Sequence, residues 1–156
     1  MPEWEAAPKE VIDMADDLIR QHHQSLLDAR IGILFRDVAP VSNGKVTWGK
    51  ASKVDAKWQP LLKRELDFII WLAYDVWRTV LDHKQRVALL DHELCHCTME
   101  DGEPKMRAHD IEEFSEIVER HGLWRNDLEQ MYEAMQQSRF PFNYERQGFV
   151  EGVELK

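Results

Sequence analysis

The segment His92-Glu93-Leu94-Cys95-His96 constrains the fold more than any other feature of this chain. Histidines four residues apart lie on one face of an α-helix, a single turn from each other. Both imidazoles can then converge on one zinc ion, with Zn–N distances of about 2.0–2.1 Å. Glu93 projects beside that face, where it can take a proton from a metal-activated water and pass it to a leaving amine. These five residues therefore predict a helix that carries a zinc site and a general base.

The residues around this segment support the predicted helix. Asp82 followed by Gln85 has the spacing of a capping box, in which each side chain hydrogen-bonds the backbone of the other residue. The helix is expected to run from Asp82 to about Met99. At about 100° per residue, an apolar face lies opposite the two histidines and consists of Val87, Leu90, Leu94 and Cys97. We expect this face to be buried and the histidines to line a cleft.

The two cysteines of the chain, Cys95 and Cys97, are separated by one residue. A disulfide across so short a loop would be strained, and two cysteines do not make a four-cysteine zinc ribbon. On the helical wheel Cys97 points into the core and Cys95 lies to the side. Both are interpreted as packing residues rather than metal ligands.

A catalytic zinc site needs three protein ligands and leaves a fourth position to water. His109 is the favoured third ligand, because it follows a turn at 101–104 and precedes a helix predicted to start at Asp110. The other candidates are Asp110, Glu112 and Glu113. The remaining histidines are assigned surface or helix-capping roles, and they are His22, His23, His83 and His121.

Hydrophobic periodicity along the chain predicts an α+β fold, a small three-stranded sheet with helices packed on it. Helices are expected at about 8–27, 75–80, 82–99, 110–121 and 126–137, and strands at 31–35, 45–53 and 66–73. A turn is expected at 42–45. The chain is interpreted as one domain spanning 1–156, with a core at about 9–137 and a C-terminal tail at 138–156.

Charge and hydropathy narrow the range of partners. The net charge of −9 disfavours nucleic acid. Residues 36–64 nevertheless carry seven Lys or Arg against two acids, near Trp48 and Trp58. Nucleic acid is possible for this segment, but a solvated hairpin is the favoured interpretation. No apolar run reaches the roughly 20 residues of a membrane helix, and the N-terminus lacks signal-peptide features, so a cytoplasmic protein is expected. The oligomeric state is left open.

The segment from Leu81 to Trp124 resembles the phage metallopeptidase family, which is itself similar to SprT-like and Spartan zincins. The matching pieces are Asp67-Phe68-Ile69-Ile70 in a strand, Asp91-His92-Glu93-Leu94-Cys95-His96, and His109-Asp110 with Phe114 and Gly122. The resemblance implies a minimal zincin-like fold and one Zn²⁺ per chain. It also implies His92, His96 and His109 as metal ligands and Glu93 as the catalytic base.

The predicted function is zinc-dependent hydrolysis of peptide bonds, by an endopeptidase acting on a protein or peptide without a covalent intermediate. The oxyanion donor is left open among several arginines and Tyr74, Tyr132 and Tyr144. One alternative is a metal-stabilised phage-type binding or regulatory protein that acts on a host partner without proteolysis. Another is a zinc hydrolase for a non-peptide amide. For the aromatic tail at 139–144, docking on the core is favoured over a lid across the cleft.

Overall fold

The computed structural model describes residues 1–138, and the chain divides between Ala108 and His109 into two compact units. Helices and strands of the first unit are β1 (Trp4–Ala6), α1 (Lys9–His22), β2 (Ile31–Arg36), β3 (Val41–Ser42), β4 (Lys45–Val46), β5 (Gly49–Lys53), β6 (Phe68–Ala73), α2 (Tyr74–Thr79), α3 (His83–Cys95), β7 (Cys97–Glu100) and β8 (Glu103–Met106). Short 3-10 helices lie at Gln24–Leu26 and Ala56–Leu61. The second unit contains α4 (Ser115–His121) and α5 (Asn126–Gln136).

The main sheet of the first unit has four strands in the order β1-β2-β6-β5. The central pair β2 and β6 is parallel, and both outer strands are antiparallel to their neighbours. The α+β class is therefore confirmed, but the prediction of three strands was wrong. The additional strand, β1, is three exposed residues held by pairing with β2. So short a segment has no periodicity of its own, and its extended form depends on hydrogen bonds to another strand.

The hydrophobic core lies on one face of β6. Phe68, Ile70 and Leu72 alternate along this strand and are fully buried, as the period of two in a β-strand requires. Buried residues of α1 and α3, including Val11 and Leu90, belong to the same core cluster. Both helices are thus fixed against the sheet, and α3 also packs against α1 and β5.

The predicted start of α3 is confirmed in detail. The Asp82 carboxylate accepts a hydrogen bond from the Gln85 N–H at 2.9 Å, and the Gln85 side chain accepts one from the Asp82 N–H at 3.0 Å. Leu90 and Leu94 are fully buried, as predicted for the apolar face. This face therefore sets how α3 is rotated about its own axis.

The predicted end of this helix at Met99 was wrong, because α3 stops at Cys95 and the chain forms the hairpin β7–β8. Asp101 and Gly102 both have positive φ, 53° and 76°. Two such residues in succession are typical of the tight turn that matches the twist of a two-stranded ribbon. Residues after Cys95 therefore satisfy their backbone groups by strand pairing instead of by a further helical turn.

The second unit begins with non-helical residues. The helix expected from Asp110 starts only at Ser115, so that prediction was wrong at its N-terminal end. Extending the helix backwards would place Glu112 and Glu113 on one face with Glu116, and like charges at these spacings destabilise a helix. The predicted close at Gly122 is confirmed, with φ of 67°, and α5 matches its prediction within one residue.

Two further expectations concern membrane-spanning helices and the aromatic tail. Within residues 1–138, no helix is both long enough and apolar enough to cross a membrane. The aromatic tail at 139–144, and its predicted docking on the core, lie outside the described residues.

Candidate metal centre

His92 and His96, called here the histidine pair, lie at the C-terminal end of α3. His92 occupies the last turn and His96 is the residue that caps the helix. Their ring centroids are 5.1 Å apart and the rings are nearly perpendicular, at 81°. His92 is exposed and His96 is half-buried, so the pair is accessible at the surface of the first unit. This is the one-face arrangement that the i, i+4 spacing predicts.

The hairpin β7–β8 fixes the orientation of the His96 ring. The Arg107 N–H donates to the carbonyl of His96 at 2.8 Å, which continues the ladder one residue beyond the pairing of Cys97 with Met106. His96 Nδ1 lies 2.7 Å from the carbonyl oxygen of Arg107. A carbonyl can only accept a hydrogen bond, so Nδ1 carries the proton and the lone pair is on Nε2. A carbonyl partner of this kind is typical of metal-ligating histidines.

Glu93 is a charged residue that is buried in the first unit, with only 4% of its surface exposed. Its side chain points away from solvent toward β5, the strand at one edge of the sheet. Oε2 lies 3.3 Å from the position that a Cβ atom on Gly49 would occupy. A side chain at Gly49 would therefore press on the carboxylate. The missing side chain leaves room for Glu93 beside the sheet.

The environment of Glu93 shifts its acidity. Burial raises the pKa of Glu93 above the usual value for a glutamate, because the charged form loses water. The electrostatic interaction with His96 and a backbone hydrogen bond involving Ala51 act on the pKa of Glu93 in the opposite direction. A carboxylate with a raised pKa is a better proton acceptor, which is a common property of general bases.

His109, the predicted third ligand, is the first residue of the second unit and is exposed. Two of the alternative ligands are also described there. Glu113 accepts a hydrogen bond from the Phe114 N–H at 2.9 Å, and Glu112 is exposed. The choice of His109 over these residues stays a prediction.

The two cysteines have different environments. Cys97 is buried, as predicted, and its thiol lies 3.7 Å from the carbonyl oxygen of Glu93. Cys95 is exposed, so its interpretation as a packing residue was wrong. The helix ends at Cys95, and its side chain therefore lies at the surface next to the end of α1.

The candidate oxyanion donors are spread along the chain. Tyr74 lies at the start of α2 with its ring against Phe35, at a centroid distance of 5.0 Å. Tyr132 lies in α5 of the second unit, and Tyr144 lies outside the described residues. None of the three is assigned as the donor.

Sequence reasoning missed Gly49 and Arg107, which contribute to the site through their backbones. The Asp101-Gly102 pair was a signal for the hairpin that places Arg107, because this dipeptide is typical of two-residue turns. No signal in the sequence connected Gly49 to Glu93, since the contact depends on how β5 is placed against α3.

Comparison with known sequences assigns the chain to a family. The sequence profile of the family described as Putative phage metallopeptidase matches residues 2–136. This match covers most of the chain, and the protein therefore belongs to that family. No curated protein matches the sequence, and no solved structure matches it. The family resemblance carried by the histidine pair and its neighbours is confirmed.

Proposed function

We propose that this chain is a zinc-dependent endopeptidase in which Glu93 is the general base. Family membership supports a peptidase that uses a metal. The observation that carries the proposal is the burial of Glu93, one residue after His92 in the same helix. Burying an ionisable carboxylate costs free energy of folding, and a structural metal site needs no base at this position.

The donor set fits zinc. Imidazole nitrogens are among the ligands that zinc prefers, and His92, His96 and His109 are residues that could hold a metal ion. The hydrogen bond from His96 Nδ1 to Arg107 presents Nε2 as the ligand atom. A bound zinc ion would supply Lewis acidity, which polarises a peptide carbonyl and makes water more acidic.

His109 is proposed as the third ligand because of its position in the chain. It follows Arg107 by two residues, and consecutive Cα atoms are about 3.8 Å apart. The Arg107 backbone hydrogen-bonds His96 in both directions. His109 is therefore two residues beyond the point at which the chain contacts His96. Asp110, the next residue, is proposed to orient a ligand rather than bind the metal.

In the proposed reaction, Glu93 takes a proton from the attacking water and then delivers it to the nitrogen of the leaving amine. The histidine pair and His109 hold the metal and do not transfer protons. No covalent bond forms between the enzyme and the substrate. The proposed substrate class is a protein or peptide, which is the class that the family description implies.

Metal analysis of purified variants tests the ligands. We expect His92→Ala and His109→Ala each to lose one equivalent of zinc relative to the wild type. His83→Ala, a change of an exposed histidine in the first turn of the same helix, should keep the full amount and is the matched control. Equal zinc in the wild type and in His92→Ala would refute the metal site.

A second experiment tests Glu93. The Glu93→Gln variant should keep its zinc, but its rate of peptide-bond cleavage should fall about 10²–10⁴-fold, the range usual for the loss of a general base. New protein termini in cells expressing the wild type, Glu93→Gln, or Glu100→Gln as an exposed control, would measure this loss. If the wild type and Glu93→Gln produce the same termini, the chain is better described as a metal-stabilised binding or regulatory protein.

A further inference from the structure

A second group of metal-ligating side chains lies beside the histidine pair on α3. Asp91 and Cys95 are four residues apart and so share one stripe of the helix, next to the stripe of His92 and His96. His23, from the end of α1, faces them. A ligand nitrogen, oxygen and sulfur of these residues all lie within 4.8 Å of one another. We call this group the second cluster, and none of its members has a role in the proposed peptidase site.

The fold holds the second cluster in place from two sides. His23 is the residue after the last turn of α1, and its backbone N–H donates to the carbonyl of Ile19 at 3.0 Å. Helix α1 is anchored by buried residues such as Val11, and α3 by Leu94, in the same core. His23 Nε2 lies 2.6 Å from Asp91 Oδ1, although the two residues are 68 positions apart. The cluster is thus a product of tertiary packing.

Burial differs across the second cluster in a way that suits ion binding. The His23 side chain is only 11% exposed and that of Asp91 is 37% exposed, whereas Cys95 is exposed. The imidazole is therefore preorganised by its surroundings, and the thiol side remains open to solvent. An ion can enter from that side without unpacking α1 from α3.

The donor types select the kind of metal. Nitrogen, carboxylate and thiolate donors together match zinc and similar borderline cations, whereas calcium and magnesium take oxygen ligands. In a tetrahedral zinc site with bond lengths of about 2.0–2.3 Å, neighbouring ligand atoms are about 3.3–3.6 Å apart. The His23–Asp91 contact would open by less than about 1 Å to reach this separation.

We propose that His23, Asp91 and Cys95 form a second transition-metal site, which takes zinc or a similar divalent cation and leaves one position to water. Binding displaces the proton of the Cys95 thiol to solvent, since the thiolate is the ligand. This proposal does not rest on the proposed function, because the two sites share no ligand. The competing interpretation is an ordinary hydrogen bond from His23 to Asp91 that joins α1 to α3, and it gives Cys95 no role.

Cobalt titration of the metal-free protein separates these interpretations. A cysteine ligand produces a thiolate-to-cobalt charge-transfer band in the near ultraviolet. We expect this band in the wild type and in Cys97→Ser, and its loss in Cys95→Ser. Cys97→Ser is the matched control, because it removes the other thiol of the chain. Circular dichroism of each variant verifies that it is folded. Absence of the band in the wild type, or its persistence in Cys95→Ser, would overturn the proposal.

The double variant His92→Ala/His96→Ala makes the test independent of the proposed function. The band should persist in this variant, and zinc competition with a chromophoric chelator should show one equivalent fewer than in the wild type. His23→Ala and Asp91→Asn should each weaken zinc binding at the second cluster at least 10-fold while the histidine pair still binds. Loss of the band in the double variant would mean that Cys95 belongs to the first site, which contradicts a second one.

Discussion

At the scale of one residue, the buried carboxylate of Glu93 is expected to lower the stability of the folded protein. The side chain is almost fully buried, and burial raises its pKa. A group whose pKa is higher in the folded state than in the unfolded chain destabilises the fold above that pKa, because the folded protein must keep a desolvated charge. Below the unfolded-state pKa the group is neutral in both states, and this destabilisation disappears.

We therefore predict that Glu93→Gln stabilises the metal-free protein by about 1 kcal/mol at neutral pH. The difference should shrink as the pH falls through the raised pKa of Glu93, because the wild-type side chain then becomes neutral as well. Urea denaturation at several pH values measures the free energy of unfolding. Glu100→Gln, an exposed residue of β7, should change it little. A destabilised Glu93→Gln protein would contradict this account.

The two thiols give a second prediction at the residue scale. Burial, helped by the nearby Glu93 carboxylate and by Cys95, raises the pKa of Cys97 to about 12, whereas Cys95 is exposed. The thiolate is the nucleophile, so iodoacetamide should modify Cys95 and spare Cys97 in the native, metal-free protein. Peptide mapping by mass spectrometry locates the label. Equal labelling of both thiols before denaturation would show that the burial of Cys97 is not maintained in solution.

At the scale of secondary-structure elements, the hairpin β7–β8 connects the fold to the candidate metal centre. Its strands pair from Cys97 to Met106, and the next residue, Arg107, holds the backbone and ring of His96. The orientation of one proposed ligand therefore depends on a turn several residues away. The hairpin β3–β4 has the same kind of turn, with positive φ at Asn43 and Gly44.

Gly102→Ala tests this dependence. Gly102 has φ of 76° with no atoms near its missing side chain, so alanine is disfavoured by backbone conformation alone, by about 1 kcal/mol. We expect this loss of stability together with a roughly 10-fold weaker zinc affinity, the size of effect usual when a ligand loses its orienting partner.

Gly44→Ala is the control for this experiment, because Gly44 has φ of 75° and an equally open surrounding in the turn of β3–β4. It should lose similar stability and keep its zinc affinity. Thermal denaturation and chelator competition on the two variants provide the comparison. A matching loss of affinity in both would show that general destabilisation, not the orientation of His96, is responsible.

At the scale of the whole molecule, the first unit depends on one core formed by the central strand β6 with α1 and α3. Ile70 is fully buried in this strand. We predict that Ile70→Ala lowers the free energy of unfolding by about 2–5 kcal/mol, the usual result of removing a buried isoleucine. Val38→Ala, at an exposed position, should lower it by less than about 0.5 kcal/mol. Urea denaturation measures both, and similar values would contradict the assigned core.

The sequence by itself determined the features that depend on neighbouring residues. The spacing of His92 and His96, the capping box at Asp82 and the apolar run that predicts a strand at 66–73 are local patterns. Their geometry follows from the repeat of a helix or a strand, and the structure matches them. The family resemblance also rested on such local motifs and is confirmed over residues 2–136.

Only the tertiary structure decided which distant residues meet. The pairing of β1 with β2, the position of Gly49 beside Glu93 and the contact of His23 with Asp91 each join residues that are far apart in the sequence. These contacts depend on how helices and strands pack in three dimensions, and hydrophobic periodicity does not specify that. The surface position of Cys95 has the same origin, because it depends on where α3 ends and on which helix lies beside it.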